Sequence, residues 1–369
     1  MPWKETQVIE ERVHFIQEHR TGHWNMTDLC AHFGISRKTG YKYLSRYKKH
    51  GLKGLEDHSR APHAHGMLID TDLHSELLAI KKKYSTWGAR KIRDKLILED
   101  GARNVPAIST IHRILDEHGL VKQRKRRNKA APSEAPLIHA KAPNDVWCMD
   151  FKGWFKTKDG SKCDPFTVTD AFSRYLLCCK HVNRTNFGYV KNALTRSFRE
   201  YGLPDAIRSD NGAPFSTRSV AGLSRLAVWL VYLNVRVERI EPGKPQQNGR
   251  HERFHLTLSQ DTAEPPANTI AAQGRRFKKF STIYNEERPH ESLSGAVPSS
   301  VYASSSREFP GKLRELEYPD SYEFRRVNGK GEFKFKGKSY FLTEVLYDEK
   351  IAFEQTTDRH WRIHFGPLE

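Results

Sequence analysis

The spacing of hydrophobic residues changes twice along this chain of 369 residues, and it constrains the fold more than any other sequence feature. Up to about residue 121, apolar residues recur at helical intervals. From residue 145, alternating runs typical of strands are interspersed with helical segments, and residues 319–369 alternate almost throughout. The pattern predicts a multidomain chain with an all-α N-terminal part, a central α/β core and a small C-terminal antiparallel β-barrel.

Domain boundaries follow from the same pattern and from the turn and linker residues between its parts. We predict six segments: a helix-turn-helix domain at 1–60, a second helix-turn-helix-like domain at 67–121, a basic and proline-containing linker at 122–143, an α/β core at 144–265, a helical extension at 266–318 and a β-barrel at 319–369.

The first sixty residues have the spacing of a helix-turn-helix. Ile9, Val13 and Ile16 fit one helix, and we expect Thr27 and Ser36 to cap the two that follow. In the second domain we expect Ser109 to cap the last helix in the same way. The predicted outer face of the third helix carries basic and polar residues: Arg37, Lys38, Thr39 and Lys42. A short helix, a tight turn and a helix with basic N-terminal residues suit the major groove of DNA. The alternative is a small helical bundle with a solvated charged face.

The charge of the chain favours a polyanionic partner. Its formal net charge is +18, and residues 1–129 contain 26 basic against 15 acidic side chains. Binding to phosphates would release counterions, although a surface tuned for solubility would have a similar charge. Consecutive basic residues in the linker are predicted to lie along phosphates, or else to form a solvated tether: Arg124, Lys125, Arg126 and Arg127.

Neither a membrane partner nor a disulfide framework is predicted. The longest apolar run, 226–233, is far too short to cross a bilayer. The five cysteines are odd in number and include no C-x-x-C pair, so neither paired disulfides nor a zinc site is indicated. The expected compartment is therefore the reducing cytoplasm.

Three acidic residues stand out when they are considered together. Asp150 interrupts an apolar strand, Asp210 follows a later strand, and Glu252 lies on a helix predicted to begin at Pro245. Taken singly, they fit a salt bridge, a turn and a surface residue. Together they can meet at one edge of a sheet, where hard oxygen ligands suit two Mg²⁺ or Mn²⁺ ions. Such an ion pair supports in-line displacement at a phosphodiester.

The blocks around these acids are WCMDFK at 147–152, SDNG at 209–212 and QNGRHERFH at 247–255. They resemble, in order, the signature blocks of integrase-core DDE transposases of bacterial insertion sequences, to which retroviral integrases are distantly related. The resemblance extends to DAFSR at 170–174 and to YNxxRPH at 284–290.

This resemblance implies a ribonuclease H-like core in which Asp150, Asp210 and Glu252 are catalytic and hold two Mg²⁺ or Mn²⁺ ions. It also implies cleavage at transposon ends and joining of the freed 3′-hydroxyl to target DNA. Double-stranded DNA, as both ends and target, and further copies of the chain are the implied partners.

One departure from the retroviral pattern concerns spacing. Forty-one residues separate Asp210 from Glu252, more than in retroviral integrases, and we expect the additional residues at 216–224. Three polar residues flank the predicted active-site loop, where they would orient the scissile phosphate or simply be hydrated: Lys244, Asn248 and Arg250. Asp170 is expected to be structural and to pair with Arg174.

Three functional hypotheses follow. The first is an active transposase that binds terminal inverted repeats. The second is a catalytically inactive or domesticated sequence-specific DNA-binding regulator, against which the intact acidic triad argues. The third is a ribonuclease H-type nuclease without joining activity. Two N-terminal DNA-reading units favour a sequence-specific end binder over that nuclease.

Overall fold

The computed structural model describes residues 8–57, 71–101, 105–122, 137, 139–217, 219, 222–241, 249–357 and 360–369. Its contacts separate the chain into two units, Met1–Leu68 and Ile69–Glu369. Residues 71–122 therefore belong to the same unit as the central sheet. Among the described residues, no helix combines the length and apolar character needed to cross a membrane.

The first unit contains three helices, α1 (Val8–Thr21), α2 (Met26–His32) and α3 (Arg37–His50), followed by a 3₁₀ turn. Ser36 caps α3 as predicted, since its Oγ accepts a hydrogen bond from the Thr39 N–H at 3.2 Å. The predicted Thr27 cap is wrong. Helix α2 begins at Met26, so Asn25 is the N-cap and accepts from the Asp28 N–H at 2.9 Å.

Three further helices open the second unit, α4 (Thr71–Lys83), α5 (Ala89–Asp100) and α6 (Ile108–Glu117). Leu77, Trp87 and Ile92 form the centre of their shared core. Gly101 ends α5 with a φ of 80°, a conformation that glycine adopts without strain. The predicted Ser109 cap of α6 is wrong, because the helix begins at Ile108, and its N-cap is Ala107, whose side chain makes no hydrogen bond.

A five-stranded sheet forms the centre of the second unit. Its strands are β1 (Val146–Phe151), β4 (Pro165–Asp170), β5 (Leu176–His181), β6 (Ala206–Ser209) and β7 (Arg236–Arg239). Their order is β5-β4-β1-β6-β7, with antiparallel pairs among β5, β4 and β1 and parallel pairs among β1, β6 and β7. The short hairpin β2 (Phe155–Lys156) and β3 (Lys162–Cys163) follows directly on β1.

Four helices accompany this sheet: α7 (Phe187–Tyr201), α8 (Arg225–Tyr232), α9 (Gly249–Leu258) and α10 (Ile270–Thr282). Because side chains alternate along a strand, Trp147 and Met149 point to one face, where they join a core with residues of α7 and α8. Cys148 and Asp150 belong to the other face, on which α9 lies, as the hydrogen bonds of its histidines show.

Five strands end the chain: β8 (Glu323–Arg326), β9 (Glu332–Phe335), β10 (Lys338–Phe341), β11 (Lys350–Thr357) and β12 (His360–His364). They form two small antiparallel sheets, β12-β11-β8 and β10-β9. Phe333 and Phe353 are buried in a core that also contains Val228 and Val231 of α8. Where the sequence predicts a small β-barrel, the structure confirms a strand-rich antiparallel region, formed by two small sheets around one core.

Candidate active site

The register between β1 and β6 sets Asp150 and Asp210 side by side. These strands are parallel, and Cys148 pairs with Arg208. Asp150 lies two residues after Cys148, and Asp210 lies two residues after Arg208, just beyond the end of β6. Neighbouring strands are about 4.8 Å apart. Both half-buried aspartates therefore lie at one level of the sheet, one on β1 and the other just after the neighbouring strand β6.

The Asp-Asn-Gly turn after β6 is held by its own side chains. The Gly212 N–H donates to Asp210 Oδ1 at 3.1 Å, and the Asn211 amide donates to the Ile240 carbonyl at 2.8 Å. A Cβ at position 212 would lie 3.1 Å from Asp210 Oδ2. Glycine therefore permits the close approach of the turn to this carboxylate.

One buried hydroxyl fastens α9 to the strand beside Asp150. Thr167 pairs with Asp150 across β4 and β1, and its hydroxyl donates to the Asp150 carbonyl at 3.0 Å. The same oxygen lies 2.8 Å from His251 Nε2 and 2.9 Å from His255 Nε2. Since a hydroxyl has one proton, both imidazoles must donate from Nε2.

Burial keeps these two histidines uncharged. It lowers the pKa of His251 well below its ordinary value, with a smaller contribution from His255. Burial, followed by the charge of Lys152, lowers the pKa of His255 to about 4. A neutral ring that carries its proton on Nε2 can donate a hydrogen bond to the Thr167 oxygen, as both histidines do here. They act here as anchors of the helix.

Glu252 follows His251 directly on α9, and its side chain is exposed. The anchored histidine therefore brings the backbone of Glu252 close to β1 and β4. Among the residues that the structure describes, however, no three His, Cys, Asp or Glu side chains come close enough to share one metal ion. The strand register sets the two aspartates at one level of the sheet, but the carboxylates of Asp150, Asp210 and Glu252 do not form one ligand set in the structure.

Asp170 has a structural role, but with other partners than predicted. Its carboxylate accepts from the Asn144 N–H at 2.8 Å, the Ser173 N–H at 2.7 Å and the Ser173 hydroxyl at 2.6 Å. It thereby closes the β4–β5 turn and holds the chain entering β1. Its hydrogen bonds go to these groups and not to the Arg174 guanidinium. Burial raises the pKa of Asp170 despite these bonds.

Two arginines lie on the same face of the sheet as Cys148 and Asp150. Arg174, Arg250 and His251 line a cavity of about 30 Å³, together with Cys148 and Asp170. That volume suits one or two water molecules and no larger ligand. Burial, and then the nearby charge of Arg250, lowers the pKa of Arg174.

Four family models match this chain. They are the integrase core domain at residues 140–245, a second integrase core domain model at 233–298, a homeodomain-like domain at 39–115 and a helix-turn-helix domain at 11–63.

An uncharacterized 31.7 kDa protein of insertion element IS407 from Burkholderia multivorans is 30% identical over 210 residues, covering 56% of this chain and 73% of that protein. The chain belongs to the integrase-core family of bacterial insertion-sequence transposases. An uncharacterized 39.2 kDa protein of insertion element IS476 from Xanthomonas euvesicatoria is 28% identical over 240 residues, covering 64% of this transposase and 65% of that protein.

Among solved structures, the simian T-cell lymphotropic virus intasome in complex with the PP2A regulatory subunit B56 gamma matches with a TM-score of 0.37 and 14% identity, covering 79% of this chain and 97% of that chain. The family matches confirm the predicted resemblance and the fold class, with a helical DNA-binding front and an integrase core of the ribonuclease H type.

The predicted DNA-contacting residues of the transposase fall into three groups. Arg37, Lys38 and Lys42 are exposed on α3, whereas Thr39 is half-buried and bonded to Ser36. Arg250 is exposed at the start of α9. The remaining six lie outside the described residues: Arg124, Lys125, Arg126, Arg127, Lys244 and Asn248.

Sequence reasoning missed the anchor of α9. The available signal was the i, i+4 pair His251 and His255 beside Glu252, together with a threonine at a polar position within a buried strand. It also gave no structural role to the YNxxRPH block at 284–290. Asn285 bonds both the N–H and the carbonyl of Leu176, at 2.8 and 3.0 Å, and so ties this block to the edge strand β5.

The same block forms hydrogen bonds with the end of α4 and with α5. Lys83 and Tyr84 both bond Glu287, and Lys91 Nζ donates to the Pro289 carbonyl at 2.7 Å. Arg288 pairs with Asp261 at 3.6 Å. Burial lowers the pKa of Lys91 to about 8. The block is thus the joint between the α4–α6 helices and the integrase core.

Proposed function

We propose that this chain is an active DNA transposase. It binds the terminal inverted repeats of its insertion sequence, cleaves there to free 3′-hydroxyl ends and joins these ends to target DNA. The observation that carries this proposal is the register of β1 and β6, which puts two acidic side chains at one level beside an anchored helix bearing a third.

Asp150, Asp210 and Glu252 would hold two Mg²⁺ or Mn²⁺ ions, for which carboxylate oxygens are suitable ligands. When bound, such ions activate the attacking oxygen and stabilise the leaving oxygen of a phosphoryl transfer. Glu252 would complete the ligand set by turning its exposed side chain toward the aspartates, while the histidines keep α9 in place.

The rest of the chain would supply binding and orientation. The exposed cations of α3 would read the terminal repeats in the major groove, and Arg250 would attract the scissile phosphate. Lys244, Asn248 and the linker arginines remain predicted contacts. Because two ends must be joined in one event, we propose that the working form contains at least two copies of the chain.

The test is strand transfer with labelled duplexes that copy the flanking terminal repeats, in Mg²⁺ or Mn²⁺. Asp150→Asn, Asp210→Asn and Glu252→Gln should each reduce joining below detection and leave DNA affinity within about twofold, because each removes only one metal ligand. Glu317→Gln, at an exposed carboxylate in the segment before β8, is the matched control and should join normally.

Joining by any one of the three triad variants would contradict the assignment. A wild-type protein that binds the repeats but does not join them with either metal would favour the regulator hypothesis. That hypothesis is supported by the observation that Asp150, Asp210 and Glu252, all of them described residues, do not form a group close enough to hold one metal ion.

A further inference from the structure

The β2–β3 hairpin presents an aromatic and basic face next to Asp150. Pairing with β4 continues past β1, since the Lys152 N–H donates to the Pro165 carbonyl at 3.0 Å. The chain then turns at Gly153, whose φ is 85°. Trp154 follows with 58% of its surface exposed, and Lys162 Nζ lies 5.2 Å from its ring centroid.

Other residues account for the stability of this hairpin. Phe155 packs against the core formed by Cys163, Leu258 and Phe277. At the tip, the Lys158 and Asp159 N–H groups donate to the carbonyls of residues 267 and 268, each at 3.0 Å. The hairpin is therefore held on its inner side and at its tip, and the exposed Trp154 ring is not needed to hold it.

The outer face also brings two like charges together. Lys156 and Lys162 are directly opposite each other in the two-residue ladder, and both are exposed. Like charges at such positions destabilise a strand pair unless an anion lies near both. Of the two nearby carboxylates, Asp159 accepts hydrogen bonds from Thr157 and Ser161, and the half-buried Asp164 interacts with the charge of Lys162.

We propose that this face, formed by Trp154, Lys156 and Lys162, binds an unpaired stretch of the DNA strand beside the active site. Trp154 stacks on one base, and the two lysines contact flanking phosphates. Aromatic stacking is tolerant of sequence, as the ends of different target sites require. The inference rests on the proposed function and identifies where that function holds its substrate strand.

The distance along the chain fits this role. Trp154 is four residues after Asp150, so the two lie at most about 13 Å apart along extended backbone. A single strand running from a phosphodiester at Asp150 would cover that span within a few nucleotides. A base of that strand would then lie against the Trp154 ring, and its phosphates would lie near Lys156 and Lys162.

The experiment measures binding by the full-length protein without divalent metal, so that no chemistry occurs. The probes are a blunt duplex and the same duplex with a five-nucleotide 3′ tail containing 2-aminopurine. Wild-type protein should quench the tail fluorophore, because direct stacking on the indole ring of Trp154 quenches 2-aminopurine emission. Trp154→Ala should abolish quenching and bind the tailed duplex about tenfold more weakly, with unchanged affinity for the blunt one.

Several variants separate stacking from folding and from charge. Trp154→Phe should retain most of the quenching, and Tyr189→Ala, at an exposed ring of α7 on the opposite face of the sheet, should behave as wild type. The double variant Lys156→Gln/Lys162→Gln should reduce the salt slope of tailed-duplex binding by about 1.4, as expected for two lost contacts with phosphates of a single strand. No variant should melt below the wild type, and the double lysine variant should melt slightly above it because it removes the repulsion between the two opposed charges.

Equal tail affinity and quenching in wild type and Trp154→Ala would overturn the inference. So would an equal loss on blunt and tailed duplexes, which would assign the face to duplex phosphates. Since no joining is measured, quenching by a wild type that never joins DNA would refute the proposed function while leaving this binding site intact.

Discussion

Thr167 shows how much a single buried side chain determines in this protein. Its hydroxyl connects β1, β4 and α9 through three hydrogen bonds, and its surface is entirely buried. The orientation of the helix that bears Glu252 therefore depends on one oxygen atom and on two histidines that remain neutral.

Replacing Thr167 with valine should both destabilise the protein and impair joining. Valine has nearly the same shape as threonine, but the Nε2–H groups of His251 and His255 lose their acceptor. The free energy of unfolding should fall by about 1–3 kcal/mol as a result. We expect strand transfer to fall at least tenfold, because Glu252 is no longer held near β1. Urea unfolding and the strand-transfer assay measure the two effects.

Thr356→Val serves as the control for that substitution. This hydroxyl is exposed and donates to the His360 carbonyl at 3.2 Å on the C-terminal sheet. Its loss should change stability by no more than about 0.5 kcal/mol. Equal stability of the two valine variants would show that the Thr167 bonds contribute nothing.

At the scale of elements, α3 illustrates a helix fixed by close approach. A Cβ at Gly40 would lie 2.7 Å from Cys30 Sγ and 2.9 Å from Phe15 Cζ. The exposed Arg37 and Lys38 therefore have their positions set by contact between α3 and the two helices before it. Glycine here serves packing, since its backbone has ordinary helical geometry.

Gly40→Ala should destabilise the first unit by about 1–3 kcal/mol, although alanine favours helices, because the added methyl group overpacks the contact. Gly274→Ala on α10 is the matched control, since nothing lies within 4 Å of its added Cβ. That variant should be stabilised by about 0.5–1 kcal/mol. Thermal melting of both variants gives the comparison, and a stabilised Gly40→Ala would contradict the close-packing argument.

Periodicity was sufficient to predict the helical front, the mixed sheet and the strand-rich end, because burial of one face leaves a local trace in the sequence. The caps at Thr27 and Ser109 were predicted wrongly, since a helix start that differs by one or two residues changes which side chain reaches the first N–H groups. The partnership of Thr167 with α9 was out of reach. It depends on strand register between segments far apart in sequence.

At the scale of the whole molecule, the second unit buries positive charge at the joint between α4–α5 and the core. Burial lowers the pKa of His290 to about 3, and the positive charges of Lys91, Arg288 and Arg174 contribute to the decrease. Asp261 balances part of this charge through Arg288. A protonated His290 would add a further cation to an already positive region.

Acidification should therefore lower the free energy of unfolding of the second unit. Below pH about 6.5, the unfolded chain protonates this histidine while the folded chain excludes the proton until pH about 3, so stability falls as the pH decreases through that window. At pH 5 one such histidine contributes a loss of about 2 kcal/mol.

His290→Phe should retain the edge contact with the Tyr284 ring and flatten this dependence. Melting temperatures of both proteins at pH 7.5, 6.5 and 5 provide the measurement. The other buried histidines keep some slope in the variant. Identical slopes would exclude His290 as a source of the acid sensitivity.

The anchoring of α9 also bears on how proteins of this kind diverge. Hydrogen bonds to β4 and packing of Phe254 and Leu258, and not the length of the intervening polypeptide, hold α9 in place. We therefore expect that residues can be gained or lost between Asp210 and Glu252 without displacing the helix. A motif search that demands a fixed interval between these two acids would then exclude chains that have such insertions.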